Sequence, residues 1–111
     1  MPGWYEIKKS KNGQFYFSLK AANSEVILTS EMYVEKASAK GGIASVQKNS
    51  PTAARYTKLE AKGGKFYFTL KAGSHQVIGN SQMYANEKSR YAGIASVKTN
   101  GKAKEIKDLT Q

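Results

Sequence analysis

Two runs of alternating apolar and polar residues are the most regular feature of this chain. Residues 15–20 (FYFSLK) and 66–71 (FYFTLK) alternate with a period of two, which predicts strands with one buried face. Shorter strands are predicted around each run, at residues 4–9, 26–27, 56–60 and 77–78. Residues 34–48 and 86–98 have helical composition, and Asn86 is suited to cap the second helix.

Turn-forming residues separate these predicted elements. Asn12-Gly13 and Gly63-Gly64 precede the alternating runs and are typical of hairpin turns. Asn23-Ser24 and Ser74-His75 follow the runs and turn the chain into the third strands. The tail, residues 103–109, contains Ile106 and Leu109 and is predicted to add a last strand.

The chain contains an internal sequence repeat. Residues 5–49 and 56–100 align without gaps at a constant offset of 51, with 21 of these 45 positions identical. The segment GQFYFSLKA recurs as GKFYFTLKA, SEMY as SQMY, and GIASV as GIASV. Chance does not produce such agreement, so two copies of one β-β-β-α unit are predicted.

A unit of this length has too little volume for a stable core of its own. We therefore expect the copies to share a core around a pseudo-twofold axis. The connector, residues 49–52, is short, and Pro51 ends the preceding helix. The interpretation is one domain, residues 1–111, built from repeat 1 (about 3–51) and repeat 2 (about 54–111).

The fold class is therefore α+β, with one antiparallel sheet and two helices on one of its faces. Gly42 and Gly93 lie inside the predicted helices, where glycine costs about 1 kcal/mol relative to alanine. Serines flank both at helical spacing, which indicates close packing at this stripe. The helices are expected to cover the face that bears Phe15, Phe17, Leu19, Phe66, Phe68 and Leu70.

These motifs resemble one known family. The order Gly-x-Phe-Tyr-Phe-x-Leu-Lys-Ala, Val-Ile, Ser-x-x-Tyr and Gly-Ile-x-Ser-Val, given twice in about 110 residues, is similar to the YegP family of small bacterial proteins. The resemblance covers nearly the whole chain. It implies tandem β-β-β-α-β units in one sheet, with C-terminal strands exchanged between the units. It implies no activity and no catalytic residues. The family's usual Asn-Gly after the second strand is replaced by Asn23-Ser24 and Ser74-His75.

Composition excludes several classes of protein. The absence of cysteine rules out disulfide scaffolds, thiolate zinc sites and cysteine nucleophiles. No apolar stretch approaches the length of a membrane span, and the first residues lack the pattern of a signal peptide. We therefore expect a cytoplasmic protein without membrane association. The net charge of +10 favours polyanions electrostatically.

The repeat also tests for catalytic chemistry. If both copies kept an ancestral site, its residues would occur twice, but each acid of repeat 1 is matched by a residue that is not acidic. His75 is the only histidine and is either a general base or a solvated turn residue. No phosphate loop, dinucleotide fingerprint or nucleophile motif is present. No metal, cofactor or catalytic residue is predicted.

Basic and aromatic residues repeat on the other face of the predicted sheet. If Phe17 and Phe68 face the core, the neighbouring tyrosines and lysines face away from it and could stack bases and neutralise phosphates. The alternative is an ordinary solvent-exposed face. The candidate nucleic-acid-binding residues are Tyr16, Lys20, Lys62, Lys65, Tyr67 and Lys71.

A second repeated set lies where each third strand turns toward its helix. It could line two symmetric pockets for a small molecule. The alternative is a structural corner, whose methionine and tyrosine close the core edge and whose serine bonds to backbone. The set comprises Ser30, Met32, Tyr33, Ser81, Met83 and Tyr84.

The leading interpretation is a monomeric, noncatalytic binding or structural domain with weak, sequence-independent affinity for nucleic acid. The second is a protein–protein module that uses a sheet edge or face. The third is small-molecule binding or catalysis at the paired corners.

Overall fold

The computed structural model describes residues 3–110. The predicted domain spans residues 1–111, so its terminal residues Met1, Pro2 and Gln111 lie outside the described part. Within residues 3–110 the chain forms seven strands, two α-helices and a short 3-10 turn at Ala53–Arg55. The elements are β1 (Trp4–Lys9), β2 (Phe15–Lys20), β3 (Val26–Ser30), α1 (Lys36–Asn49), β4 (Tyr56–Ala61), β5 (Lys65–Lys71), β6 (Val77–Asn80), α2 (Glu87–Asn100) and β7 (Ile106–Asp108).

All seven strands belong to one sheet, in the order β4-β5-β6-β3-β2-β1-β7. Neighbouring strands are antiparallel except β7, which pairs in parallel with β1. At the centre Thr29 pairs with Asn80, its own equivalent in the other repeat. The pseudo-twofold axis therefore passes between these two residues, and the predicted α+β fold of two repeats in one sheet is confirmed.

Both helices pack on one face of the sheet and enclose a core drawn from both repeats. Phe17, Leu19, Phe68 and Leu70 are fully buried there, together with side chains of β1, β3 and both helices. Each helix contacts strands of its own repeat and of the other. Since apolar burial is the main stabilising contribution to folding, much of that contribution depends on contacts between the repeats.

The two outermost aromatic residues of the core face are less buried than the alternation predicts. Phe15 and Phe66 are half-buried, and a cation lies over each ring. Lys9 Nζ is 5.5 Å from the centre of the Phe15 ring, and the Arg90 guanidinium carbon is 5.1 Å from that of Phe66. A cation thus packs on the outermost ring of each repeat, from β1 in repeat 1 and from α2 in repeat 2.

The turns explain the positions of several small residues. Gly13, Gly63 and Gly64 have φ values of 84°, 83° and 75° in the first hairpins, a region that glycine adopts without strain. In the second hairpins Ser24 and His75 have φ of 72°. The substitution of the family's usual glycine therefore leaves the left-handed turn in place, with a side chain in it.

Helix α2 is capped as predicted, because Ser89 N donates to Asn86 Oδ1 at 2.8 Å. Helix α1 begins at Lys36, two residues later than the predicted stretch, and Glu35 provides no side-chain cap. Gly42 allows the α1 backbone to approach the sheet closely. A Cβ added there would lie 2.5 Å from Tyr33 Oη and 2.8 Å from Phe17 Cε2.

The tail exchanges between repeats as the family resemblance implied. β7 follows α2 of repeat 2 but pairs with β1 of repeat 1, where Tyr5 N donates to Glu105 O and Leu109 N to Ile7 O, both at 2.9 Å. Of the tail residues, Ala103 is buried, whereas Ile106 and Leu109 are exposed.

Candidate functional site

The outer face of the sheet, opposite the helices, contains the predicted basic and aromatic side chains. Its centre is the register Ser18, Thr29, Asn80 and Thr69 across β2, β3, β6 and β5. Because side chains alternate along a strand, Tyr16 and the other outer residues of β2 project from the same side as those of β5. No helix in residues 3–110 covers this face.

In repeat 1 the positive charge of this face is partly offset by an acid. Glu6 Oε1 lies 3.5 Å from Lys8 Nζ and 3.6 Å from Lys20 Nζ, and Trp4 Nε1 donates to Glu6 Oε2 at 3.0 Å. The Trp4 hydrogen bond, followed by the two lysines, lowers the pKa of the Glu6 carboxyl below its usual value. Lys20 is therefore one partner of a charge cluster rather than a free cation.

In repeat 2 the acid is missing. Thr57 occupies the position of Glu6, while Lys71 occupies that of Lys20. Lys65 and Lys71 flank Tyr67 along the outer side of β5, and neither forms a salt bridge within the described residues. The repeat-2 half of the outer face is therefore the more positive one.

The six predicted residues do not converge on one point. Tyr16 and Tyr67 lie three strand spacings apart and at opposite ends of antiparallel strands, which puts their Cα atoms about 20 Å apart. Lys71 lies level with Tyr16 at about 14 Å. Lys62 is exposed in the β4–β5 turn. The two predicted tyrosines are thus separate aromatic positions on this face.

The repeated corners have structural contacts. Ser30 Oγ accepts from Phe17 N at 2.8 Å and donates to Glu31 O at 2.8 Å. Ser81 makes the same pair of bonds, to Phe68 N and Gln82 O, at 3.0 and 2.8 Å. Each serine side chain therefore accepts the hydrogen bond of a strand amide, in place of a backbone carbonyl of the neighbouring strand.

The corner tyrosines pack on the core, but the methionines do not. Tyr33 stacks on Phe17 with ring centres 6.4 Å apart, and Tyr84 on Phe68 at 6.3 Å. Met32 and Met83 are 51% and 54% exposed. The interpretation that these methionines close the core edge is wrong, because the corner directs them into solvent.

One hollow of about 210 Å³ adjoins Tyr33, between α1 and the β5–β6 turn. None of its lining residues is a histidine, a carboxylate or a lysine; they are Tyr33, Gly41, Gly42, Ser45, Ala72, Gln76, Val77 and Ile78. Burial raises the pKa of the Tyr33 phenol. This corner therefore has a concave shape but no group suited to acid–base chemistry near neutral pH.

The remaining candidate, His75, is exposed at the tip of its turn. Within residues 3–110 no three His, Asp or Glu side chains are close enough together to hold a metal ion. No helix of the described chain is long and apolar enough to cross a bilayer.

A groove that the sequence did not indicate runs between the outer edge of β4 and α2. Two hollows of about 280 Å³ each share Lys58 and Tyr91 there. The sequence feature that could have indicated this groove is a pair of differences between the repeats. Lys58 replaces the fully buried Ile7, and Tyr91 replaces Lys40.

Comparison with known proteins establishes the family. The model of a domain of unknown function, DUF1508, matches residues 10–56 and again residues 61–108. The chain belongs to the DUF1508 family. Each match corresponds to one repeat, as the internal alignment predicted.

Relatives of this family align over the full chain. A UPF0339 protein of Acinetobacter baylyi is 63% identical over 110 residues, which is 99% of each chain. YegP of Escherichia coli K12 is 59% identical, covering 99% of this chain and all of its own. The predicted resemblance to YegP is therefore confirmed.

Solved structures of DUF1508 relatives have the same fold. The solution structure of E. coli YegP, a protein of unknown function, matches with a TM-score of 0.94 at 59% identity, over 99% of this chain and 95% of that one. A UPF0339 protein of Shewanella oneidensis gives 0.93 at 60% identity, over 99% and 93%. The family thus defines the fold and leaves the function open.

Proposed function

We propose that this protein is a monomeric, noncatalytic binding domain of the cytoplasm that associates weakly with single-stranded nucleic acid. The binding surface is the repeat-2 half of the outer face, with Tyr67 as the stacking residue and Lys65 and Lys71 as phosphate contacts. Lys62 extends the positive surface from the adjacent turn. Such combinations of aromatic rings and cations bind single strands with little dependence on sequence.

The observation that carries this proposal is the difference between Glu6 and Thr57. Glu6 offsets one of the two positive charges of Lys8 and Lys20 on one half of the face. Thr57 leaves the equivalent Lys71 without an acid at that position. Glu31 meets the repeat-2 half at the centre of the face, where Asn80 Nδ2 donates to Glu31 Oε2 at 3.4 Å. A polyanion is therefore attracted to one end of the sheet rather than to its whole surface.

The test is fluorescence anisotropy of a labelled 20-nucleotide oligo(dT) over a salt series. We expect a dissociation constant of about 10⁻⁴ to 10⁻⁶ M at physiological salt. The double variant Lys65→Gln/Lys71→Gln should lower the slope of log K against log salt by about 1.4, because each lost phosphate contact contributes about 0.7 for single strands.

Repeat 1 supplies the matched control. Lys11→Gln/Lys20→Gln removes two positive charges from the other half, at the equivalents of Lys62 and Lys71, and should change binding less. Tyr67→Leu should weaken binding more than Tyr16→Leu if a base stacks on repeat 2. Absence of binding at low salt, a flat salt dependence, or equal losses in the two double variants would refute the proposal.

A further inference from the structure

The two repeats differ in how their outer sheet edges are covered. β7 lies along the outer edge of β1, whereas the outer edge of β4, its repeat equivalent, has no partner strand within residues 3–110. The edge of β4 therefore has unpaired backbone groups, which are a template for an added strand.

The tail shows what a strand at such an edge contacts. Besides the backbone bonds to β1, Asp108 Oδ2 accepts from Lys36 Nζ of α1 at 2.8 Å. Gln47 Nε2 of the same helix donates to Ala103 O at 2.8 Å. The tail thus occupies a groove between the edge strand and the helix, in parallel with the edge strand.

The equivalent groove beside β4 is open and lined by aromatic and apolar surface. Tyr56 and Ile94 form its floor, and Tyr91, 69% exposed, stands at its rim. Aromatic residues of this kind are enriched in protein interfaces. In the covered groove, the equivalent of Tyr91 is Lys40, so the aromatic rim belongs to the open groove alone.

Charge specifies the chemistry of the occupant. Four bases and one acid border the groove: Lys58, Lys88, Arg90, Lys98 and Glu87. Glu87 is 3.9 Å from Arg90, and Glu60 follows two residues after Lys58 on the same side of β4. The tail sequence AKEIKDL has no net charge, so a segment richer in carboxylates complements this groove better than a second copy of the tail.

We propose that the groove between β4 and α2 binds an extended acidic segment of another protein, which adds to β4 as a parallel strand. Tyr56 N already donates to Ala53 O, so pairing begins at Lys58. Lys58 is the equivalent of Ile7, whose carbonyl accepts from the tail, and its carbonyl therefore faces the open edge. This site is distinct from the outer face proposed for nucleic acid.

The test uses the peptide AEEIEDL, which is the sequence of residues 103–109 with glutamate at both lysine positions. Added to the full, ¹⁵N-labelled chain, it should shift amide signals of β4 and the first turns of α2. The peptide AKKIKKL is the charge-reversed control and should not bind. Lys58→Glu should weaken binding about fivefold, since an ion pair becomes a repulsion. Lys11→Glu, an equal charge change in the β1–β2 turn, should have less effect.

Each other outcome refutes the proposal. Absence of binding at millimolar peptide would mean that Lys58 guards the edge against added strands. Shifts confined to another surface, or equal binding of both peptides, would show that the groove does not select an acidic strand. Sedimentation that shows dimers lost in Lys58→Glu would identify a second copy as the occupant.

Discussion

Gly41 and Gly42 are neighbours in α1 with opposite surroundings, and alanine substitution should change stability in opposite directions. A Cβ on Gly41 meets no atom within 4 Å. A Cβ on Gly42 meets Tyr33 and Phe17, which stack on each other. Repeat 2 has Ala92 at the first position and keeps Gly93 at the second.

The magnitudes follow from two opposing effects. Alanine in a helix interior is favoured over glycine by about 1 kcal/mol, so Gly41→Ala should stabilise by about that amount. Gly42→Ala has the same gain but overpacks a core in which Phe17 is fully buried. Overpacking costs about 1–3 kcal/mol, which leaves a net destabilisation of about 1 kcal/mol.

Urea unfolding followed by circular dichroism measures both changes. The midpoints should move in opposite directions by about 0.5–1 M, with unchanged slopes. Tyr33→Phe removes the closest atom, so Gly42→Ala should cost less in that background. If Gly42→Ala raised the midpoint as much as Gly41→Ala, the proposed approach of α1 to the aromatic pair would be incorrect.

Three other predictions concern the turns, the buried phenols and the repeats. His75→Gly should raise the free energy of unfolding by about 0.5–1 kcal/mol in the same assay, because glycine adopts the positive φ without the side-chain penalty. The pKa values of Tyr5 and Tyr56 are raised by burial well above the 10 of an unfolded chain, so the contribution of these two phenols to stability should be constant below pH 10 and fall above it. Tyr5→Phe/Tyr56→Phe should reduce this alkaline loss, and an unchanged loss would assign it to other groups. The fragment 1–51 should be unfolded by circular dichroism, and a cooperative monomeric transition would contradict a core shared between the repeats.

Local sequence patterns predicted the helices, strands and turns because each of these depends mainly on residues close together in the sequence. Alternation placed β2 and β5, and positive-φ glycines such as Gly13 placed the hairpins. The internal repeat then allowed every inference from one copy to be checked in the other. The predicted helices and strands consequently differ from the observed ones by only a few residues.

Long-range contacts had no such local signal. β7 has three residues, and its parallel pairing with β1 joins positions about a hundred residues apart, where no periodicity is visible. The Glu6–Lys20 contact depends on the strand register. The outer face was therefore identified from alternation, while its uneven charge required the structure.

The linker and the missing edge strand are the same stretch of polypeptide. At the repeat offset, residues 55–57 correspond to β7, but they already belong to the 3-10 turn and the start of β4. Two such units in tandem have one C-terminal tail, residues 103–109, to cover two equivalent borders of the sheet, β1 and β4. The unshielded border is thus a consequence of connectivity, and point substitutions alone cannot close it.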